Sequence, residues 1–350
     1  MDRYRGFGSP VFYPVLAALL FGLGIPLAKI LLPSVSPWLM AALLYLGSGL
    51  GLKAFRFLSR APQVTLQRNE WLWLVLAIGA GGVIAPVLLM VGLSSMPASG
   101  ASLLLNVEGV LTAGLAWFVF KENFDKRIAL GMVAIVIGTI VLSWPGPSGF
   151  AGIWPSLAII GACLGWALDN NLTRKISWND ATWIAATKGL VAGVVNLGIA
   201  LGLGSVWPSS SLVLQTMFLG AISYGVSLAL FVISLRHLGT ARTGAYFSLA
   251  PFFGALVSIP LLNESLSARF LGAGALMGFG VWLHLTEKHS HEHTHEELDH
   301  EHDHSHDDEH HDHEHYPAVP LGTKHSHRHH HVRRTHTHEH FPDMHHQHDH

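Results

Sequence analysis

Charge is scarce in this chain. Only 13% of its 350 residues are Asp, Glu, Lys or Arg, about half the share in a soluble globular protein. A single cysteine, Cys163, excludes an intrachain disulfide. Histidine is nearly missing before residue 289, where only His237 and His284 occur. No dense histidine metal site can therefore form within the apolar part. There is no P-loop, no dinucleotide fingerprint and no nucleophile–base pair in a soluble segment. An enzyme and an ATP-driven pump are both disfavoured, and nothing calls for nucleic acid.

What is abundant is apolar sequence, half of all residues. It falls into ten runs long enough to be read as membrane spans: Phe12–Leu32, Pro37–Leu52, Trp71–Leu93, Pro97–Phe120, Ile128–Trp144, Gly152–Leu172, Ala181–Leu203, Ser211–Leu235, Thr240–Leu262 and Phe270–Leu285. The runs are apolar all round, which suits helices in lipid and not the period-2 pattern of a barrel. The first follows Arg3 and Arg5 but lacks a small-residue cleavage site, so it is read as span 1 and not as a signal peptide.

The chain contains itself twice. Leu93 to Gly138 aligns without a gap on Leu235 to Gly280, matching Ala113/Ala255, Glu122/Glu264 and Arg127/Arg269. Upstream, one residue out of step, Pro14, Leu23 and Gly24 match Pro155, Leu164 and Gly165. Five spans per copy, an odd number, force the second copy to be inverted. Inverted repeats are typical of secondary transporters, whose site lies near the midplane between the halves. The expected fold is all-α: ten transmembrane helices as two inverted five-helix repeats, residues 1–145 and 146–288, followed by a disordered tail, 289–350.

Lys and Arg cluster on one side. The N-terminus carries Arg3 and Arg5, the second–third connection Lys53, Arg56, Arg60 and Arg68, and the fourth–fifth Lys121, Lys126 and Arg127. Arg174, Lys175, Arg236, Arg242 and Lys288 continue the pattern, against Arg269 alone on the other side. The positive-inside rule places both termini in the cytoplasm, in an inner membrane. Small residues spaced by four (Gly161/Gly165, Gly189/Gly193, Gly198/Gly202 and Gly274/Gly278) predict close helix packing.

Ionisable residues inside spans are costly and mark cavities or partners. Glu108 lies mid-span 4, near Asn106, too far from either interface for a short carboxylate to reach water. It needs a cation, a donor network or a proton. It is the leading candidate for binding a substrate amine or for coupling to a proton. Asp169, followed by Asn170, continues the Gly161/Gly165 face. Lys188 begins span 7 from the same side, with Asn196 on its face, so an Asp169–Lys188 pair is geometrically reasonable. A purely structural ion pair is an equal reading. Lys29, after Pro26, fits snorkelling to the outer interface better than substrate contact. Pro86 and Pro251 free backbone carbonyls and can break helices next to a site.

The segment SLAPFFGALVSIPLLNESLSARFLGAGALMGFGVWL, from Ser248 to Leu283, resembles the EamA-type branch of the drug/metabolite transporter superfamily. A proline opens span 9 and Glu264 closes it, as in that family. The first copy, NVEGVLTAGLAWFVFKENFDKRIALGMVAIVIGTIVL, keeps the closing Glu122 but has Glu108–Gly109 where the family usually has proline. The motif GWALDNNLTRKIS, Gly165 to Ser177, looks like a subgroup signature. The resemblance spans Phe12 to Leu285. It implies the ten-helix fold and export or exchange of small metabolites without a required cofactor.

After Lys288 the character changes: 24 of the 26 histidines lie between His289 and His350. They alternate as His289, His291, His293 and His295; His300, His302, His304 and His306; then His310, His311, His313 and His315, with acids in many gaps. In an extended chain alternate residues share a face, so paired imidazoles can chelate zinc, nickel, copper or cobalt. No apolar residues exist to build a core, so disorder without metal is expected. Three readings stay open: a metabolite exporter whose tail binds divalent metal, a divalent-metal transporter that captures ions with the tail, and a membrane-anchored metal store or sensor. The partners expected are the lipid bilayer, a small-molecule substrate, divalent metal ions and a second copy of the chain.

Overall fold

The computed structural model describes residues 11–64, 66–119, 126–144, 153–176 and 179–286, together with 290–295, 298–304, 325–331 and 334–339. The chain divides into two units, 1–287 and 288–350.

The first unit is helical. Its helices are α1 (Phe12–Leu31), α2 (Pro37–Leu58), α3 in three consecutive pieces (Arg68–Ala77, Ile78–Ile84, Ala85–Ser94) and α4 in two (Ala98–Leu104, Asn106–Phe118). There follow α5 (Lys126–Ser143), α6 (Ile153–Arg174), α7 (Ala181–Gly202), α8 in three pieces (Ser210–Gly220, Ala221–Val226, Ser227–Phe247), α9 (Ala250–Leu262) and α10 (Ala268–Leu285). Seven helices are long and apolar enough to cross a membrane. Ala129–Ser143 and Ala250–Leu262 are shorter apolar helices, and α6 has 22 residues. Helices thus stand at all ten expected positions. Large side chains such as Leu72, Val75, Ile140, Leu157 and Val194 are exposed, an outer surface suited to lipid and costly in water.

Local chemistry sets the ends. The Ser36 hydroxyl accepts from Leu39 N at 3.3 Å, and Pro37, with no N–H to satisfy, fills the first turn of α2. Asp180 caps α7 by accepting from Trp183 N at 2.9 Å, and the same oxygen receives Arg56 of α2 at 2.5 Å. α9 ends on Asn263 at φ 51°, a left-handed cap that Asn tolerates.

Two expected boundaries are corrected. The connection expected near residues 236–239, between spans 8 and 9, is helical, and the helix runs on from Ser227 to Phe247. The break comes instead at Ser248–Leu249. Pro251 explains it: without an N–H it cannot bond the Phe247 carbonyl four residues back. Span 4, expected as one helix, breaks at Leu105. Under the repeat offset of 142 residues, seen in Glu122/Glu264, Leu105 corresponds to Phe247. The fourth expected span of each copy, Pro97–Phe120 and Thr240–Leu262, is therefore interrupted within two residues of the same place.

Packing repeats as the sequence does. α1 lies against α8 and α9, and α6 lies against α3 and α4. α5 crosses α10 so closely that a Cβ at Gly131 would meet the Gly280 carbonyl, and one at Gly280 would meet that of Gly131. Gly138 meets the Ala273 carbonyl in the same way. Since Gly131 corresponds to Ala273 and Gly138 to Gly280, this contact is symmetric under the duplication. Gly165, Gly189 and Gly193 also pack tightly, the first on α3 and the others on α2, whereas Gly198 and Gly202 meet nothing within 4 Å among the described residues. Those two do not form the close-packed face expected of them.

In the second unit Ser290–His295 pairs antiparallel with Arg334–Glu339, and Leu298–His304 with His325–His331. Isolated two-stranded ladders are at best marginal in water, so these lend the tail no packed core. His291, His293, His295, His300, His302 and His304 lie on these strands. His289, His306, His310, His311, His313 and His315 fall outside the described residues.

Candidate functional site

The site begins with a proline. Pro86 opens the last piece of α3 and has no N–H. In a normal helix that N–H would bond Gly82 O; in a wide π turn it would bond Gly81 O. Both carbonyls lie in the wide turn Ile78–Ile84, and both find side-chain donors. Tyr45 Oη donates to Gly81 O at 2.8 Å and Trp166 Nε1 donates to it at 3.0 Å. Asn196 Nδ2 donates to Gly82 O at 3.1 Å. One missing donor in α3 thus fixes side chains from α2, α6 and α7.

Glycine then makes room. A Cβ at Gly81 would run into the Asp169 carboxylate, so the missing side chain is what lets the backbone of α3 approach α6 at that point. Asp169 is buried and accepts two bonds from Lys188 Nζ, at 2.5 and 2.7 Å. Thr173 donates to Asp169 at 2.8 Å and accepts from Lys188 at 3.1 Å. All three strong donors of the ammonium are accounted for. The Asp169–Lys188 pairing expected from the sequence is present, and it is saturated.

Glu108 lies in the first turn of the second half of α4, just past the break at Leu105. Its Oε1 accepts from Asn170 Nδ2 at 2.9 Å, while Asn171 reaches Thr112 O at 3.3 Å. No cation bonds its carboxylate among the described residues. A carboxylate at the start of a helix is favoured by the helix dipole, which makes the break part of the reason a charge can sit here.

Between these groups lies a cavity of about 70 Å³, room for on the order of five waters. Both repeats wall it. Glu108, Asp169, Asn170 and Lys188 line it, as do Ser48, Ser223 and Ser227. So do six aromatic residues: Phe21, Tyr45, Trp166, Tyr224, Phe231 and Phe247. Their rings form a connected group. Phe21 centres lie 5.9 Å from Trp166 and 5.5 Å from both Tyr224 and Phe247. Tyr45 lies 5.6 Å from Tyr224, and Phe231 lies 4.8 Å from Phe247. Tyr224 sits in the second wide turn, Ala221–Val226, which corresponds by the repeat offset to the first. Its hydroxyl is buried with no hydrogen-bond partner among the described residues.

The structure thus brings together four of the seven intramembrane candidates. The other three stand apart. Lys29 donates to the carbonyls of Leu93, Ser94 and Met96 at 2.6, 3.2 and 3.0 Å. It caps the end of α3, where a cation suits the helix dipole. Asn106 Nδ2 bonds Leu103 O at 3.0 Å, and Asn196 holds the wide turn as above. The aromatic wall went unread because tyrosine and phenylalanine in an apolar span look like any core residue. Their only signal was position: Tyr224 lies in a wide turn that no sequence pattern announced. Glu264 has a clear place too, accepting from Ala98 N at 2.6 Å and Ser99 N at 2.9 Å at the start of α4. No group of three His, Cys, Asp or Glu side chains suited to a metal ion occurs among the described residues.

Comparison with known proteins agrees with this architecture. The EamA-like transporter family matches twice, over residues 8–144 and 153–286. An uncharacterized transporter of Methanothermobacter thermautotrophicus is 30% identical over 77% of this chain and 84% of its own length. A probable amino-acid metabolite efflux pump of Salmonella typhimurium is 24% identical over 78% of this chain and 94% of its own. A crystal structure of a protein 20% identical in sequence superposes with a TM-score of 0.63, covering 79% of this chain and 95% of that one. That last likeness concerns the fold alone. The chain belongs to the EamA-like transporter family and is a multi-pass membrane transporter, not an enzyme.

Proposed function

We propose that this member of the EamA-like transporter family exports or exchanges a small polar metabolite carrying an amine, driven by a gradient, with the substrate held in the cavity between the two repeats. The observation that carries the reading is Glu108, a carboxylate on that cavity with no cation bonded to it among the described residues. Asn170 orients it, and the saturated Asp169–Lys188–Thr173 cluster fixes α6 to α7 behind it. Membrane-buried carboxylates of this kind mark substrate or proton paths. The relative named as an amino-acid metabolite efflux pump is consistent with a substrate of this class. The charge asymmetry of the connections supports an inner-membrane location with both termini in the cytoplasm.

The tail is assigned a separate task, the binding of divalent metal through its His-x-His pattern from His289 to His315. Its composition supports a second reading, in which the tail gathers zinc, nickel, copper or cobalt for transport. Flux measurements in vesicles separate the two, using full-length protein and protein truncated after Lys288. Gradient-driven movement of amines by both, with no metal moved, is the expected result. Metal flux that truncation abolishes would establish the second reading. No flux of either kind under proton, sodium or metal gradients would leave a membrane-anchored metal store or sensor.

A further inference from the structure

The signs of the intramembrane charges suit a zwitterion as well as an amine when read from sequence. The geometry decides between them. A zwitterionic amino acid needs two opposite partners, an anion for its ammonium and a cation or converging donors for its carboxylate. Lys188 is the one cation among the described lining residues. It is buried, and its three donors are spent on Asp169 and Thr173. Formal charges on the lining residues are therefore two carboxylates against one ammonium. The surplus negative charge is on Glu108.

Around it stands an aromatic wall. The rings of Phe21, Tyr45, Trp166 and Tyr224 lie within 6 Å of at least one other member of the group, and all four face the cavity. Ring faces attract cations within about 6 Å of their centres, most strongly when water is excluded. They offer nothing to a carboxylate. The hydroxyls of Ser48 and Ser223 line the cavity as well, and that of Tyr224 is buried with no hydrogen-bond partner among the described residues; all three are neutral, so none offsets the charge of a second carboxylate.

We infer that the cavity selects a monocationic amine and rejects its amino-acid counterpart, the ammonium lying between the Glu108 carboxylate and the aromatic wall. The inference rests on the transport reading only for its physiological meaning, since binding tests it directly. An added carboxylate would be held near Glu108 in a poorly hydrated space with no cation to meet it, and repulsion of that kind is what excludes a competing ligand.

Matched pairs differing by one carboxylate provide the test: propylamine against 2-aminobutyrate, and phenethylamine against phenylalanine. Binding to the full-length protein in detergent is measured by calorimetry, with vesicle flux measured in parallel. The expected result is at least tenfold tighter binding of each amine. Glu108→Gln, which keeps the shape and an amide for Asn170, is expected to weaken amine binding at least tenfold. Tyr224→Leu is expected to weaken it about threefold to tenfold, the range of a partly desolvated cation–π contact. Tyr224→Phe, which keeps the ring, stays within about twofold on the same scale. Thermal unfolding of each variant shows that it is folded, and Glu108→Asp restores part of the affinity if charge is what matters. Equal or tighter binding of the amino acids overturns the inference while leaving transport intact. Unchanged amine affinity in both Glu108→Gln and Tyr224→Leu overturns it as well. Tight amine binding without flux in vesicles would uphold this selectivity and defeat the transport reading.

Discussion

The wide turns of α3 and α8 occupy equivalent places in the two repeats, yet they are furnished in opposite ways. In the first, Gly81 has no side chain, and the space it leaves admits the Asp169 carboxylate. In the second, the equivalent residue is Ser223, packed beside Gly24, and the position equivalent to Asp169 is Ala28, which is buried. Gly82 of the first turn corresponds to Tyr224 of the second. The charged pair therefore lies where the first turn meets α6, whereas the second turn itself supplies a ring, Tyr224, packed on Phe21 of α1. The duplication provides two bends in equivalent helices. Divergence at a handful of small residues turned one into a charged shelf and the other into a ring-faced wall. Alternating access asks the scaffold to be symmetric; recognition of an asymmetric substrate asks the lining not to be.

The largest effect should come from breaking the charged side of this contrast. Asp169→Ala leaves the Lys188 ammonium buried and unpaired, a loss of about 3–5 kcal/mol. The double variant Asp169→Ala/Lys188→Met is expected to recover most of that, since removing both charges leaves no uncompensated ion. Unfolding in detergent checks this. If the double variant is no more stable than the single one, the pair is not what holds α6 to α7.

A smaller effect is expected at the part of the scaffold that the repeats share. Gly131→Leu forces α5 away from α10, with a cost of about 1–3 kcal/mol for overpacking. Gly280→Leu should match it, because each glycine meets the other's carbonyl. Gly198→Leu, with nothing within 4 Å among the described residues, should lose no stability. Unequal losses at Gly131 and Gly280 would show that the symmetric crossing is not shared equally.

The smallest effect concerns the first wide turn. Tyr45→Phe removes one of two donors to Gly81 O, about 0.5–1 kcal/mol, since Trp166 still satisfies that carbonyl. Trp166→Phe in the same background leaves the carbonyl without either donor and should cost more than the two single changes added together. Simple additivity in that cycle would mean the two donors act independently.

Much of the scaffold was legible because a bilayer leaves little choice. Runs such as Trp71–Leu93 and Ala181–Leu203 can only be helices in lipid, and the Glu122/Glu264 and Arg127/Arg269 matches fix the register of the duplication. Pro251 announced a break near its own position. Glu108, Asp169 and Lys188 stood out because charge in a span is rare. Other features gave no such signal. Leu105 looks like any leucine, yet α4 breaks there. Lys29 gives no sign in the sequence that it caps the end of α3. Asn106 lies near Glu108 along the chain and Asn196 shares the helical face of Lys188, but each bonds a backbone carbonyl outside the lining.

The sequence by itself determined that this chain is a duplicated, inverted helical bundle in a membrane with buried charge on a few spans. It could do so because hydropathy, repeat spacing and the cost of charge in lipid are properties of residues taken one at a time or at fixed separations. Only the tertiary structure decided which charges cancel. Lys188 is spent on Asp169 and Glu108 is not, because the Gly81 turn lets α3 and α6 close around one carboxylate while the break in α4 turns the other toward the cavity. Nor could the sequence gather Phe21, Tyr45, Trp166 and Tyr224 from four helices into one wall, since that depends on distances between residues far apart along the chain.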